Sequence, residues 1–355
     1  MSPPARLTEI RGLMGQLDRK LAEVLQERAK LSREIRALVE PSGQPPEADR
    51  DAMKAVDEQP EGELSKEALR AIFAQVIATS RAIERPARVA YLGPEGSFCH
   101  QMAKAHFGAS AVLHDSVTVA DALEEVRRQR AQFCVFPFDS SVDGLILPAV
   151  SALAETDLVL IGERTLPAML CLMTQSGSGR EITRVYSTSA GHASSERFRK
   201  REYPHGSVID VRSPVEAARC AFDDPEGAAV VPEMCGREYG LEVAKENVGD
   251  EPELRCRYGI IGSRPASRSG NDTTCVLFSL DDTPGTLFQV LGHFAERGIN
   301  LKKIQSRPVR GDSWDYIFYV EVAGHVTDRG VVTAMEAVKG STKYLKLLGS
   351  FPTEV

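Results

Sequence analysis

The sequence predicts a multidomain protein: an all-α N-terminal segment, a central α/β segment and a C-terminal βαββαβ segment. Three observations carry this. From residue 5 to about 40, apolar side chains recur at helical spacing without an internal proline. Between Arg88 and Gly262, short apolar runs alternate with amphipathic stretches, as in an α/β layer fold. From Thr274 to Ser350 the order is strand, helix, strand, strand, helix, strand. A chain of 355 residues has room for two or three such domains.

Composition excludes several classes. Hydrophobic residues make up 42% and charged residues 26%, as in an ordinary globular protein. The net charge of -7 is spread along the chain, which argues against a nucleic-acid partner. No run approaches the ~18 apolar residues of a membrane span, so no membrane partner is expected. The N-terminus has no apolar signal core. The seven cysteines are scattered without a C-x-x-C pair, so they read as reduced thiols of a cytoplasmic protein. The histidines are dispersed, and no metal or cofactor is expected.

In the N-terminal segment, Leu7, Ile10, Met14, Leu17, Leu21 and Val24 begin a stripe that continues to Leu38. A helix of this length in a small domain needs partner helices, and coiled-coil pairing is the default. The run Pro41-Ser-Gly-Gln-Pro-Pro46 ends it. A second helix is expected over 48–56 and a third over 65–83, with Arg85-Pro86-Ala87 as a linker.

The central segment opens on Val89-Ala-Tyr-Leu92, a buried strand, followed by the tight turn Gly93-Pro94-Glu95-Gly96. Ser97 stands at a helix N-cap. Such a turn either offers free backbone N–H groups to an anion or is an ordinary βα connection. Further strands are expected at 133–136, 159–161, 169–173, 185–187, 228–231 and 258–261. Helices are expected at 99–106, 119–128, 145–154, 193–201, 215–221 and 234–239. The alternation predicts parallel pairing. A flexible linker is expected over 264–271. In the last segment, strands at 274–280, 304–306, 316–322 and 344–350 and helices at 286–297 and 329–338 give the ferredoxin-like order.

Taken together these segments resemble the bifunctional chorismate mutase/prephenate dehydratase family. The resemblance covers essentially the whole chain. It rests on Arg11, Leu17-Asp18, Glu27-Arg28 and Asp49-Arg50-Asp51 in the first third, and on Tyr91-Leu-Gly-Pro-Glu-Gly-Ser-Phe98 and Val185-Tyr-Ser187 in the middle. At the end it rests on Pro284-Gly-Thr-Leu287, Glu296-Arg-Gly-Ile-Asn300, Ser306-Arg-Pro308, Trp314 and Leu348-Gly-Ser-Phe-Pro352. It implies a mutase-like helical domain at 1–86, a two-lobed dehydratase-like domain at 87–264 and a regulatory ACT domain at 272–355. It also implies chorismate and prephenate as substrates, phenylalanine as effector, and a homodimer or larger homo-oligomer.

The mutase reaction is a pericyclic rearrangement. It needs clamps for two carboxylates and a donor to the ether oxygen as the C–O bond breaks. By resemblance, Arg11 of the partner subunit, Arg28 and Arg50 are the clamps, and Asp51 takes the substrate hydroxyl. Ser80 and Glu84 form the last binding turn, four residues apart on one helix face. Val39 stands where the family has a lysine, on the same helix face as Arg28.

Prephenate dehydration expels the ring hydroxyl as CO₂ leaves, so a donor at that hydroxyl and polar groups for two carboxylates are needed. By resemblance, Asp139-Ser140 replaces a Glu-Asn pair and Ser187 begins the serine turn. Cys256-Arg257-Tyr258 replaces a Thr-Arg-Phe triplet, so the catalytic hydroxyl becomes a thiol. In the regulatory segment the resemblance assigns phenylalanine binding to Gly285, Thr286 and Leu287 in the turn before the helix. Asn300, Gln305, Ser306, Arg307 and Pro308 form the facing edge. Three readings follow: the bifunctional enzyme, a catalytically weak relative serving as an aromatic amino-acid sensor or partner subunit, or an enzyme for a modified prephenate.

Overall fold

The computed structural model describes residues 3–38, 47–60, 62–84, 86–108, 111–142, 144–175, 181–251, 253–308 and 316–353. The chain divides into two compact units, Met1–Ala87 with Lys104–Val112, and Arg88–Ala103 with Leu113–Val355.

Among the described residues of the first unit are α1 (Pro3–Leu38), α2 (Glu47–Asp57) and α3 (Lys66–Glu84). The Ser65 hydroxyl accepts the Ala68 N–H and starts α3. Arg70 bridges to Asp57 at 2.7 Å, tying α3 to the end of α2. Val56 and Ile77 are buried, yet Ile10, Leu13, Met14, Leu17, Leu21, Val24 and Leu31 on α1 stay 46–64% exposed. The predicted stripe is present, and a single chain leaves it uncovered.

The second unit begins with β1 (Arg88–Leu92), α4 (Phe98–Phe107), β2 (Val112–Ser116), α5 (Val119–Arg127), β3 (Phe133–Ser140), β4 (Gly144–Leu145), α6 (Leu147–Glu155) and β5 (Val159–Pro167). A second lobe follows: β6 (Leu170–Gln175), β7 (Arg184–Ser187), α7 (Ser189–Ser194), α8 (Glu196–Glu202), β8 (Ser207–Asp210), α9 (Pro214–Asp223), β9 (Gly227–Pro232), α10 (Glu233–Glu238) and β10 (Leu241–Lys245). Strand β11 (Arg255–Gly262) returns to the first lobe. The two sheets run β2-β1-β3-β11-β5, with β4 on β3, and β10-β6-β9-β7-β8.

Parallel pairing holds for β1 with β3 and for β7 with both β8 and β9. It fails for β11, which lies antiparallel between β3 and β5, and for β6, antiparallel to β9 and β10. The reason for β11 is topological. It enters after the second lobe is built, so no helical crossover fixes its direction.

The last sheet comprises β12 (Asp272–Ser279), α11 (Thr286–Ala295), β13 (Leu301–Pro308), β14 (Tyr316–Ala323), α12 (Arg329–Gly340) and β15 (Tyr344–Pro352), in the order β13-β14-β12-β15. This is the predicted βαββαβ arrangement. Its sheet is covered on both faces. Val276, Phe278, Val320 and Val322 pack on Val290, Phe294, Ala334 and Val338 of the helices. Cys275, Leu277, Tyr319, Leu348 and Phe351 instead join one core with Phe136, Phe138, Leu153, Leu160 and Ile261 of the first lobe. At Gly349 the backbones meet: a Cβ there would lie 1.9 Å from the Leu160 carbonyl oxygen.

The stretch 264–271 is not the loose linker expected. Ala266 packs on that shared core, and Arg268 bridges to Asp328 at 2.7 Å. The buried Asp272 carboxylate accepts the N–H groups of Ser269 and Gly270.

Candidate active site

The residues expected to act in dehydration lie on the paired strands β3 and β11. Cys256 stands opposite Ser140 and Arg257 opposite Asp139, but Tyr258 is opposite Pro137. Phe138 is the extra residue of a β-bulge, and a bulge turns two consecutive side chains toward one face. Alternation along β11 puts Cys256 and Tyr258 on one face and Arg257 on the other. The bulge delivers Phe138 and Asp139 to the Arg257 side. The Arg257 guanidinium sits 4.8 Å from the Phe138 ring centre, and its Nε lies 3.2 Å from Asp139. The predicted catalytic set is therefore divided by the sheet.

On the back face Arg257 is saturated with carboxylates. It forks onto Glu321 of β14, donating Nη1–H to Oε2 at 3.1 Å and Nη2–H to Oε1, and lies 3.4 Å from Glu163. Lys303 of β13 pairs with Asp139. The Tyr319 hydroxyl donates to Glu321 at 2.7 Å. Burial alone raises the Glu321 pKa, but hydrogen bonding and attraction from Arg257 outweigh it and hold the group below its usual range. The carboxylate that Arg257 holds bidentately is thus a protein side chain, Glu321.

The front face carries Ser140 and the half-buried Cys256, with Tyr258 buried beside them. The Tyr258 phenol is hydrogen-bonded to Cys256, and burial with the nearby thiols keeps it protonated. This hydroxyl was not anticipated. The signal was available, since a tyrosine two residues after Cys256 on a strand must share its face. Burial raises the Cys99 thiol to about 12, so it is inert as a thiolate.

Ser187, at the end of β7, is buried and donates to the Val230 carbonyl at 2.5 Å. Gly191 permits this packing, since a Cβ there would lie 2.2 Å from the Ser187 Oγ. Thr188 and Ser189, not Ser187, face a cavity of about 550 Å³ shared with Asp210, Arg212 and Glu216. The β1–α4 turn abuts the start of α9: at Gly96, with φ +78°, a Cβ would meet Cys235 at 2.6 Å and Val215 at 3.0 Å. Two of the turn's N–H groups are used internally, Gly96 to His100 Nδ1 and Ser97 to the Pro94 carbonyl. Of the two readings of this turn, those two groups fit the ordinary βα connection. Ser97 does cap α4, accepting the His100 N–H.

In the regulatory segment Gly285 caps α11 with φ +89°. The Thr286 hydroxyl donates to the carbonyls of Asp281 and Thr283, and Leu287 packs on the helix-side core. Asn300 is exposed. Along β13 the side chains alternate, with Ile304, Ser306 and Pro308 exposed and Lys303, Gln305 and Arg307 half-buried. Gln305 accepts the Leu145 N–H at 3.0 Å. Gln305, Ser306 and Arg307 line a cavity of about 490 Å³ with Asp139, Gly144 and Ser140, which ends β3 and so borders this side as well as the Cys256 face. Gln305 and Arg307 therefore turn toward the first lobe.

In the first unit Arg11 is exposed, Arg28 half-buried and Asp51 exposed. Arg11 and Arg28 are seventeen residues apart on one helix, a rise of about 25 Å. One small substrate cannot bridge them within a single chain. Arg50, Ser80 and Glu84 lie on α2 and α3 with their side chains undescribed. Val39 and Trp314 lie outside the described residues.

The molecule thus joins a two-lobed α/β segment, whose return strand presents a thiol, to a ferredoxin-like βαββαβ segment. Family models agree, with prephenate dehydratase matching residues 89–266 and the ACT domain matching 276–340. A bifunctional chorismate mutase/prephenate dehydratase of Aquifex aeolicus is 32% identical over 98% of both chains. That of Stutzerimonas stutzeri is 30% identical over the full length of both. The structure of an Arthrobacter aurescens prephenate dehydratase in complex with L-Phe superposes with a TM-score of 0.63 at 28% identity, covering 75% of this chain and 90% of that one. The chain belongs to the bifunctional chorismate mutase/prephenate dehydratase family.

Proposed function

We propose that this chain converts chorismate to prephenate, and prephenate to phenylpyruvate, CO₂ and water, under control by phenylalanine. The observation that carries this is the full-length match to relatives bearing both enzyme names. That match disfavours the sensor reading. The working boundaries are 1–86 for the mutase, 87–264 for the dehydratase and 272–355 for the ACT domain, in a cytoplasmic protein.

In dehydration the C–C bond to the ring carboxylate breaks, and its electrons complete the aromatic ring. The C–O bond to the ring hydroxyl breaks in the same sense, and that oxygen leaves with a proton as water. Cys256 and Ser140 are the donors nearest this role, with Tyr258 holding the Cys256 thiol. Thr188, Ser189 and Arg212 are candidates for the substrate carboxylates. The mutase site is shared between two copies. The length of α1 separates Arg11 from Arg28, and its exposed apolar stripe supplies the seam for a homodimer. Phenylalanine is placed at the 285–287 turn and the outward side of β13.

The test supplies chorismate to the purified protein near pH 7 and follows chorismate loss and phenylpyruvate separately against a blank, because prephenate aromatises unaided in acid. Both signals above the blank are expected. Chorismate loss without phenylpyruvate would remove the second activity.

A further inference from the structure

The regulatory sheet holds both strands of the dehydratase site from behind. Glu321 on β14 forks onto Arg257, the neighbour of Cys256 on β11. Lys303 on β13 pairs with Asp139, the neighbour of Ser140 on β3. We propose that Glu321 is a positioning residue for the dehydratase site, with Lys303 as the second point of attachment. The proposal rests on the dehydratase reading above.

The argument is geometric. Consecutive strand residues point to opposite faces, so a clamp on Arg257 sets the rotation of β11 about its axis and hence where the Cys256 sulfur points. A two-point fork between guanidinium and carboxylate fixes an angle as well as a distance. The clamp is stiff because it is dry: the Glu321 side chain is 5% exposed and that of Arg257 18%. Glu321 is itself held by the Tyr319 hydroxyl, and Tyr319 lies in the core shared with the first lobe. Strand β13, whose Gln305 accepts the Leu145 N–H, is also the edge strand of the regulatory sheet, with Ile304 and Ser306 exposed.

Glu321→Gln keeps the shape but sets an amide N–H₂ against a guanidinium N–H, which breaks the fork. Two readouts apply to the full chain: iodoacetamide labelling of Cys256 followed by peptide mass, and steady-state turnover of prephenate. Positioning predicts faster labelling of Cys256 with Cys220, on α9, unchanged. It also predicts a kcat lower by on the order of 10–100-fold with KM held within a few-fold. A merely structural role predicts loss of kcat only in step with the unfolded fraction, and that result overturns the proposal. Unchanged labelling overturns it as well. If wild type shows no turnover, the dehydratase reading fails on its own and Cys256 labelling judges the clamp. If Glu321→Gln does not fold, Lys303→Gln, at the half-exposed rim, is judged by the same two readouts.

Discussion

Replacing Arg257 with methionine isolates the charge on the back of the site, because the methionine stem keeps the packing against Phe138. The change leaves Asp139, Glu163 and Glu321, with side chains 8%, 9% and 5% exposed, without their shared cation. Lys303 still pairs with Asp139 and attracts Glu321. Removing one partner of a buried pair costs about 3–5 kcal/mol. At about 2–4 °C per kcal/mol for a unit of this size, the melting temperature falls by roughly 6–20 °C. The pH dependence separates this cause from lost packing. In the wild type the Glu321 carboxyl is held below its usual range, so its contribution is complete above the unfolded pKa and lost as pH falls through the folded value. In Arg257→Met the burial that raises Glu321 loses its main opposing cause, so protonation of that carboxylate relieves the cost. The deficit is largest near neutrality and shrinks as pH falls to about 5. Melting of the full chain at the two pH values measures it. An equal deficit at both would refute the charge argument.

Further outcomes follow from other parts of the molecule. Gly349→Ala forces β15 off β5 and costs about 1–3 kcal/mol or more, read as a lower urea midpoint; an unchanged midpoint contradicts the close approach at Leu160. Tyr258→Phe removes the hydrogen bond to Cys256, worth about 0.5–1.5 kcal/mol, and slows dehydration by up to about tenfold with folding intact. Val39→Lys supplies the missing donor and raises chorismate turnover by on the order of 10²-fold; no change with the fold intact means the mutase positions are misassigned.

Much of the architecture was legible because burial leaves periodic traces. The stripe on α1 and the apolar run of β12 both announced their elements. Of the strands that escaped, β2, β8 and β10 lie at sheet edges, and β4, two residues long, falls at the start of the helix expected over 145–154. An edge strand is half solvated, and Ser207-Val-Ile-Asp210 carries only two apolar residues, so no hydrophobic run marks it. The helix expected over 193–201 is instead α7 and α8, which meet at Ser195. At the site, the opposition of Cys256 and Arg257 follows from strand period alone. The placement of Asp139 does not. It depends on the Phe138 bulge, which shows only once β11 is laid against β3. Likewise, nothing local in Glu321 says that its partner lies in another segment.

The central claim is that prephenate is dehydrated on the Cys256 and Ser140 face of β3 and β11. Protection of Cys256 from alkylation tests it most directly. The full-length protein is treated with iodoacetamide near pH 7, with and without saturating prephenate, and the modified cysteines are identified by peptide mass. The account predicts that prephenate slows labelling of Cys256 and leaves Cys220 unaffected. Labelling of Cys256 at the same rate in both samples, while prephenate is being converted to phenylpyruvate, would place the chemistry elsewhere.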